Sequence, residues 1–312
     1  MNQVICLLGP TSSGKTDLAI ALSQKLPVEI ISVDSTQVYC DLNIGSGKPS
    51  REILEKSPHH LIDILPPDQA YSAAQFAEDT NKLIVAIRQR GKIPLLVGGT
   101  MMYFHTLING LHTLPAADPA LRESLEAEGH QIGWSMMHQK LQQVDPEAAL
   151  RIKPNDKQRI QRALEIYHTT QRPMSSFLHE QKAPSSFSFL SFALIPLQTD
   201  RAVLHHRINQ RFQGMLDQSF VEEVQHLREK YVLHENLPSM RAVGYRHVWQ
   251  YLEGTISYDV MQEGAKAATR QLAKRQLTWL RRWPGIVNLD FMDEKNLNIV
   301  SEYIEKVSKS TR

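Results

Sequence analysis

The chain has 312 residues, with 35 Lys and Arg against 33 Asp and Glu, 42% hydrophobic residues and 22% charged. That composition excludes disorder, and the near-balanced charge gives no overall pull toward nucleic acid. The length suits one large core plus a smaller unit, and two cysteines, Cys6 and Cys40, are too few for a disulfide framework or a Cys-rich zinc site, which fits a reducing compartment.

The first eight residues lead straight into a glycine-rich motif, without a basic leader or cleavage site, and no apolar run reaches the roughly 20 residues a bilayer needs. A cytoplasmic protein is expected. Apolar runs at 4–8, 28–33 and 93–97 end at Gly9, Asp34 and Gly98 and read as buried parallel strands. Residues 16–26 and 73–89 carry helical spacing between them, so strands and helices alternate as in a doubly wound α/β sheet. Ligands of such sheets bind beyond the carboxyl ends of the strands, which is where Gly9, Asp34 and Gly98 converge.

Two Pro/Ser/Ala-rich stretches, 113–119 and 181–186, bracket a region of helical periodicity. The expected organisation is therefore a P-loop NTPase-like α/β core from 1–115 and 187–312, with a helical insertion at 116–186 and a helical C-terminal part. A returning strand is expected at 187–196, followed by helical patterns over 201–230 and 258–283.

Gly9, Pro10, Thr11, Ser12, Ser13, Gly14, Lys15 and Thr16 fit the G-x-x-x-x-G-K-[ST] phosphate loop, with a strand before and a helix after. Glycines let successive backbone amides and a helix N-terminus face one anion, Lys15 adds a point charge, and the Thr16 hydroxyl can hold Mg²⁺. Nucleotide and prenyl diphosphates present the same oxygens, so the loop alone does not choose between them. Nucleotide hydrolases pair this loop with an acidic residue ending a later strand, but here that strand ends in Gly98, Gly99 and Thr100. Asp34 is the nearer carboxylate, open to three readings: a metal-holding aspartate, a turn residue, or a catalytic base.

Further along, residues 264–289 hold Lys266, Arg270, Lys274, Arg275, Arg281 and Arg282 and no acid. Lys266, Arg270, Lys274 and Arg281 recur at helical spacing, a face able to follow phosphates or simply to be solvated. Trp279, Trp283 and Tyr245 could stack on bases, although core packing is the commoner use of isolated aromatics. The pairs His59-His60 and His205-His206 lack metal-ligand spacing.

Taken together, the phosphate loop, Asp34 to Tyr39, Gly98 to Tyr103, Asn155 to Arg162, Arg241 to Arg246 and Arg270 to Arg281 form six ordered motifs that resemble the tRNA dimethylallyltransferase family. The resemblance implies transfer of a dimethylallyl group from dimethylallyl diphosphate, with Mg²⁺, to N6 of the adenosine 3′ to the anticodon (position 37), by a monomer. It implies that the phosphate loop and Arg211 grip the prenyl diphosphate, that Asp34 is the base and that Thr100 lies near the adenine. Contacts to the tRNA anticodon stem-loop are implied for Asp34, Ser35, Thr36, Gln37, Thr100, Arg122, Gln158, Arg159, Ile160, Gln161 and Arg162. They are implied equally for Arg241, Ala242, Val243, Gly244, Tyr245, Arg246, Lys274, Arg275, Gln276, Leu277, Thr278, Trp279, Leu280 and Arg281. Two cysteines leave no room for the zinc finger of the eukaryotic branch, and Ser46 and Gly47 stand where Thr and Ala are usual. The competing readings are a P-loop small-molecule kinase, an adenylate prenyltransferase, and an RNA-binding protein without chemistry.

Overall fold

In the computed structural model, residues 3–110, 114–180 and 185–309 are described; Thr113 and the 181–184 part of the second Pro/Ser/Ala-rich stretch lie outside them. The chain divides into two compact units, Met1–Ile108 with Ser185–Arg312, and Asn109–Pro184.

In the larger unit β1 (Gln3–Leu8) runs through the phosphate loop into α1 (Lys15–Lys25), and β2 (Val28–Val33) follows. A short α2 (Arg51–Lys56) and a two-residue β3 (His59–His60) precede α3 (Ala73–Gln89), β4 (Ile93–Gly98) and α4 (Met101–Asn109). Ser72 and Gln75 close a capping box at the start of α3, whose buried Phe76, Thr80, Ile84 and Ile87 form one stripe, the pattern that makes this segment an amphipathic helix.

The smaller unit is all helical: α5 (Pro119–Ile132), α6 (Trp134–Val144), α7 (Pro146–Arg151), α8 (Lys157–Thr170) and α9 (Met174–Leu178). Leu125, Met137, Leu141, Ile152, Ile160 and Leu164 fill its core.

The chain then returns to the larger unit as β5 (Ser188–Ile195), α10 (Arg201–Asp217), α11 (Phe220–Lys230), α12 (Tyr245–Leu252), α13 (Tyr258–Leu280), β6 (Val287–Asp290) and α14 (Asn296–Lys309). The helical pattern expected over 201–230 is two helices, because Ser219 adopts a left-handed φ of 69° and turns Phe220 inward against Tyr245, ring centroids 5.0 Å apart.

The six strands lie in the order β3-β2-β4-β1-β5-β6, every pairing parallel. Alternate residues feed opposite faces: Ile5, Leu7, Leu95 and Phe192 meet α1, α10, α13 and α14 on one side, while Val4, Cys6, Leu8 and Leu96 meet α3 and α4 on the other. Both faces being covered explains why the strands read as unbroken apolar runs. A further core built around Tyr39, Phe212, Phe220, Tyr245 and Met261 ties the 38–44 segment to α10 through α13. Among the described residues, no helix is long and apolar enough to cross a membrane.

Candidate active site

The carboxyl ends of β1, β2 and β4 bring the phosphate loop, Asp34 and Gly98-Gly99 to one crevice of about 140 Å³ in the larger unit. Sequence order alone placed these three segments there, because in a parallel sheet every strand points its last residue to the same edge.

In the phosphate loop Ser12 and Gly14 take left-handed φ values of 63° and 79°, which turn successive amides inward. Lys15 Nζ donates to the Pro10 carbonyl at 3.1 Å, and the hydroxyls of Ser12 and Ser13 are buried without a partner in this structure. Buried hydroxyls without partners are costly, and an anion's oxygens would satisfy them. Desolvation, reinforced by the Arg211 charge and opposed by Asp34 and Asp17, pulls the Lys15 ammonium down to about 8. Desolvation likewise lowers Arg211 from its ordinary value, with Asp34 and Asp17 opposing. For both cations the cost of burial outweighs the pull of Asp34 and Asp17, the condition of a site that gains from a bound anion.

Arg211 comes from α10, and its Nη1 donates weakly to the Thr11 hydroxyl at 3.4 Å. Arg207, one turn earlier, donates from Nε to the Ser12 carbonyl at 3.0 Å. A second, more open cavity of about 480 Å³ lies outside the loop, lined by Lys15, Thr16, Asp17, Arg207 and Arg211 among others.

Asp34 follows β2. Its Oδ1 accepts from the amides of Thr36 at 2.8 Å and Gln37 at 3.3 Å; no bond to Oδ2 is formed among the described residues. Across the strand ends, the Ser35 amide donates to Thr100 Oγ1 at 3.0 Å and the Thr100 amide to the Val33 carbonyl at 3.2 Å, so Asp34 and Thr100 share one rim. Gly98 and Gly99 allow this: a side chain on Gly98 would overlap the Val33 backbone, and one on Gly99 would overlap the Gln276 amide.

The rest of the crevice has two characters. Val97, Ile208, Phe212, Met215, Val243 and Leu272 form an apolar part. Gln276, buried near the C-terminal end of α13, accepts from the Thr11 amide at 3.0 Å and donates to the Gly99 carbonyl at 2.8 Å. Its basic neighbours on the sequence gave no hint of this bridging position.

Thr16 and Asp34 both line the crevice, and their hydroxyl and carboxylate oxygens are the hard donors that Mg²⁺ selects. Among the described residues, no group of three or more His, Cys, Asp or Glu forms a metal cage.

The basic segment is narrower than its spacing predicted. Lys266 pairs with Glu263 at 3.1 Å, just outside the acid-free run, and Arg270 donates to Asn209 Oδ1 at 2.7 Å; both are turned toward protein. Lys274, Arg275, Arg281 and Arg282 remain exposed. Trp279 is 38% exposed and meets His105 edge-to-face at 5.6 Å, whereas Trp283 packs on Phe104.

Burial sorts the residues expected to contact RNA. Ile160, Tyr245 and Leu280 are 0%, 0% and 2% exposed, their side chains packed within the protein, and Gln276 and Gly244 are interior but line the crevice. Leu277 is half-buried in the sheet's core. Val243 faces the crevice, Ala242 is half-buried, and Arg241 and Arg246 are exposed beside them. Ser35 is exposed, Thr36 lines the crevice, and Gln37 is buried between Ser32 and the Gly47 carbonyl.

In the smaller unit Gln158 and Arg159 are exposed. Arg122 and Arg162 converge on Glu165, which is fully buried, at 3.0 and 2.7 Å, and Gln161 donates to the Arg122 carbonyl. The histidine pairs serve elsewhere: His60 binds Glu29 at the sheet edge, and His205 and His206 are exposed on α10.

Comparison with known proteins gives one consistent relationship. A model of the IPP transferase family matches residues 37–283. A Legionella pneumophila (strain Lens) protein named tRNA dimethylallyltransferase is 52% identical, covering 98% of this chain and 97% of its own. One from Thiobacillus denitrificans with the same name is 51% identical over 92% and 91%. Among solved structures, the tRNA isopentenylpyrophosphate transferase of Bacillus halodurans is 32% identical with a TM-score of 0.72, covering 99% of this chain and 98% of that one. A eukaryotic dimethylallyltransferase described as acting on tRNA is 29% identical with a TM-score of 0.80, covering 100% and 80%.

Proposed function

Because this chain belongs to the IPP transferase family, we propose that it transfers a dimethylallyl group from dimethylallyl diphosphate to N6 of the adenosine 3′-adjacent to the anticodon of tRNA (position 37), releasing diphosphate. The reading rests on one arrangement: a phosphate cradle with two desolvated cations, Lys15 and Arg211, beside a rim that carries Asp34 and Thr100.

The diphosphate occupies the loop amides, the Ser12 and Ser13 hydroxyls, Lys15 and Arg211, and the five-carbon unit lies against the apolar wall of Ile208, Phe212 and Met215. Adenine N6 attacks the allylic carbon, the N–C bond forms as the C–O bond breaks, and the electron pair leaves with diphosphate. The growing charge falls on groups already in place, each well-aimed donor contributing roughly 3 to 4 kcal/mol. As positive charge develops on N6, its proton passes to Asp34 Oδ2, while Oδ1 stays held by the Thr36 and Gln37 amides. An exocyclic amine is a poor nucleophile, and a carboxylate becomes an effective base only as that charge develops. Thr100 holds the adenine edge, and the apolar wall keeps water from the allylic carbon. Thr16 would hold Mg²⁺, which when bound would add to the neutralisation of the leaving diphosphate.

The acceptor base must leave its stack, which costs a few kcal/mol and is easiest in a single-stranded loop. Lys274 and Arg275 on α13 and Arg281 capping it, Arg241 and Arg246 near α12, and Arg122, Gln158, Arg159 and Arg162 of the smaller unit are the candidates for contact with the anticodon stem-loop. The enzyme works as a monomer, in the cytoplasm where its substrate is found.

Incubation with unmodified tRNA, labelled dimethylallyl diphosphate and Mg²⁺ should place label on one adenosine. Equal labelling of free AMP would make the protein an adenylate prenyltransferase, and phosphate transfer from ATP in its place would make it a kinase.

A further inference from the structure

Glu223 stands in the first turn of α11, where its carboxylate is met by three consecutive backbone amides of another segment. Oε2 accepts from Asn43 N at 3.1 Å and Ile44 N at 2.6 Å, and Oε1 from Gly45 N at 3.2 Å. The Tyr245 hydroxyl donates to Oε1 at 2.6 Å. Three amides turned to one anion form a nest, and charge-assisted bonds of this kind are about twice as strong as neutral ones. The phenol is itself interior, and burial with the Glu223 charge raises it well above its ordinary value.

The segment so held, residues 43–48, continues directly into the crevice wall. Gly45, Ser46 and Gly47 line that wall, and the Gly47 carbonyl accepts from Gln37 Nε2 at 3.3 Å. Gly47 takes a left-handed φ of 60°, and its Cα lies so close to the Arg211 guanidinium that any side chain there would overlap it. Arg211 in turn touches Thr11 of the phosphate loop. A continuous chain of contacts therefore runs from Glu223 through the 43–48 loop to Arg211 and the cradle.

We propose that Glu223 is a positioning residue for the diphosphate: by gripping the amides of residues 43–45 it fixes the floor on which the Arg211 guanidinium rests. This builds on the reading of the crevice as a prenyl-diphosphate site. Glu223 touches neither reactant; it acts by denying Arg211 the freedom to withdraw. A donor displaced by about 1 Å loses much of its effect on a developing charge; the loop's other anchors, Lys48 on Asp63 and the Tyr39 carbonyl and Gln37 on the Gly47 carbonyl, hold its far end, while Glu223 holds the amides of residues 43–45.

The test is a double-mutant cycle on the full chain, with inorganic pyrophosphate affinity and the single-turnover transfer rate as readouts. Glu223→Gln keeps the shape but presents an NH₂ to donors. It should weaken pyrophosphate binding about tenfold and slow transfer while tRNA affinity stays within about twofold. In an Arg211→Ala background the same change should cost less than about twofold, because the group it positions is gone. Wild-type pyrophosphate affinity in Glu223→Gln, or an equal loss with and without Arg211, would overturn the proposal. If circular dichroism shows Glu223→Gln unfolded, Tyr245→Phe enters the same cycle, with an expected two- to fivefold loss that vanishes without Arg211; persistence of that loss overturns it too. The pyrophosphate readout needs no tRNA, so a wild-type protein that transferred no prenyl group would refute the functional reading separately.

Discussion

The amide of Ser35 donates to the Thr100 hydroxyl at 3.0 Å, which locks the residue following Asp34 to the residue following the glycines of β4. With Oδ1 already engaged by two amides, Asp34 presents Oδ2 in a fixed direction.

Asp34→Asn should preserve that geometry while removing the proton acceptor. Single-turnover transfer is expected to slow by about 10² to 10⁴, the usual range for loss of a general base, with pyrophosphate affinity changed by less than about threefold. An unaltered rate would remove Asp34 from the proton transfer.

Lys15, lowered to about 8 by desolvation and Arg211, should be half-neutral near that pH in the free protein. A bound diphosphate stabilises the ammonium, so the bound-state value is higher than the free-state one. Between the two values binding takes up a proton, and affinity should fall as pH rises through 8. Calorimetry at pH 8.5 in buffers of different ionisation enthalpy should record that uptake, and at pH 6 it should vanish for Lys15. Lys15→Arg should abolish the Lys15 component of the uptake, since arginine stays charged throughout.

Gly47→Val should displace Arg211. A single methyl asks only the flexible guanidinium tip to shift, whereas a branched side chain on this left-handed backbone would fill the space the tip occupies, so pyrophosphate affinity should drop roughly tenfold, about 1.4 kcal/mol. An unchanged affinity would show that Arg211 reaches the anion from elsewhere.

Replacing Lys274 and Arg275 by Ala should lower tRNA affinity and flatten its salt dependence. Each lost phosphate contact reduces the slope of log K against log salt by about 0.7 to 0.9, so the double variant should lose up to about 1.8. A slope that stayed put would place these residues away from RNA.

In the smaller unit, Glu165→Ala would leave Arg122 and Arg162 without the carboxylate they share. Breaking a buried pair costs about 3 to 5 kcal/mol; because both arginines keep partial exposure, about 2 to 3 is expected. Urea denaturation of the full chain should show the loss, and Glu165→Gln should recover part of it.

The central strands were legible because β1, β2 and β4 are covered on both faces and stop at Gly9, Asp34 and Gly99, leaving apolar runs with abrupt ends. β3 and β6 were not, since a two-residue and a four-residue strand fall below any periodicity. Ser219 gave no warning of the break between α10 and α11, because serine rarely adopts φ near 69°. In the site, the phosphate loop announced itself by spacing. Gln276 and Glu223 did not: each is an ordinary polar residue on a helix, and its meaning comes from the backbone amides of a distant segment. Lys266 and Arg270 show the converse: helical spacing specifies a face without saying which protein groups, here Glu263 and Asn209, lie against it.

Gln276 gives the enzyme's construction an unusual indivisibility. One amide, in the same helix that carries Lys274 and Arg275, spans from the Thr11 backbone to Gly99, so that helix is a structural member of the crevice. Trimming it would unfasten the phosphate loop from the end of β4. Exchanging it for another helix would succeed only if the replacement brought a glutamine at the same turn.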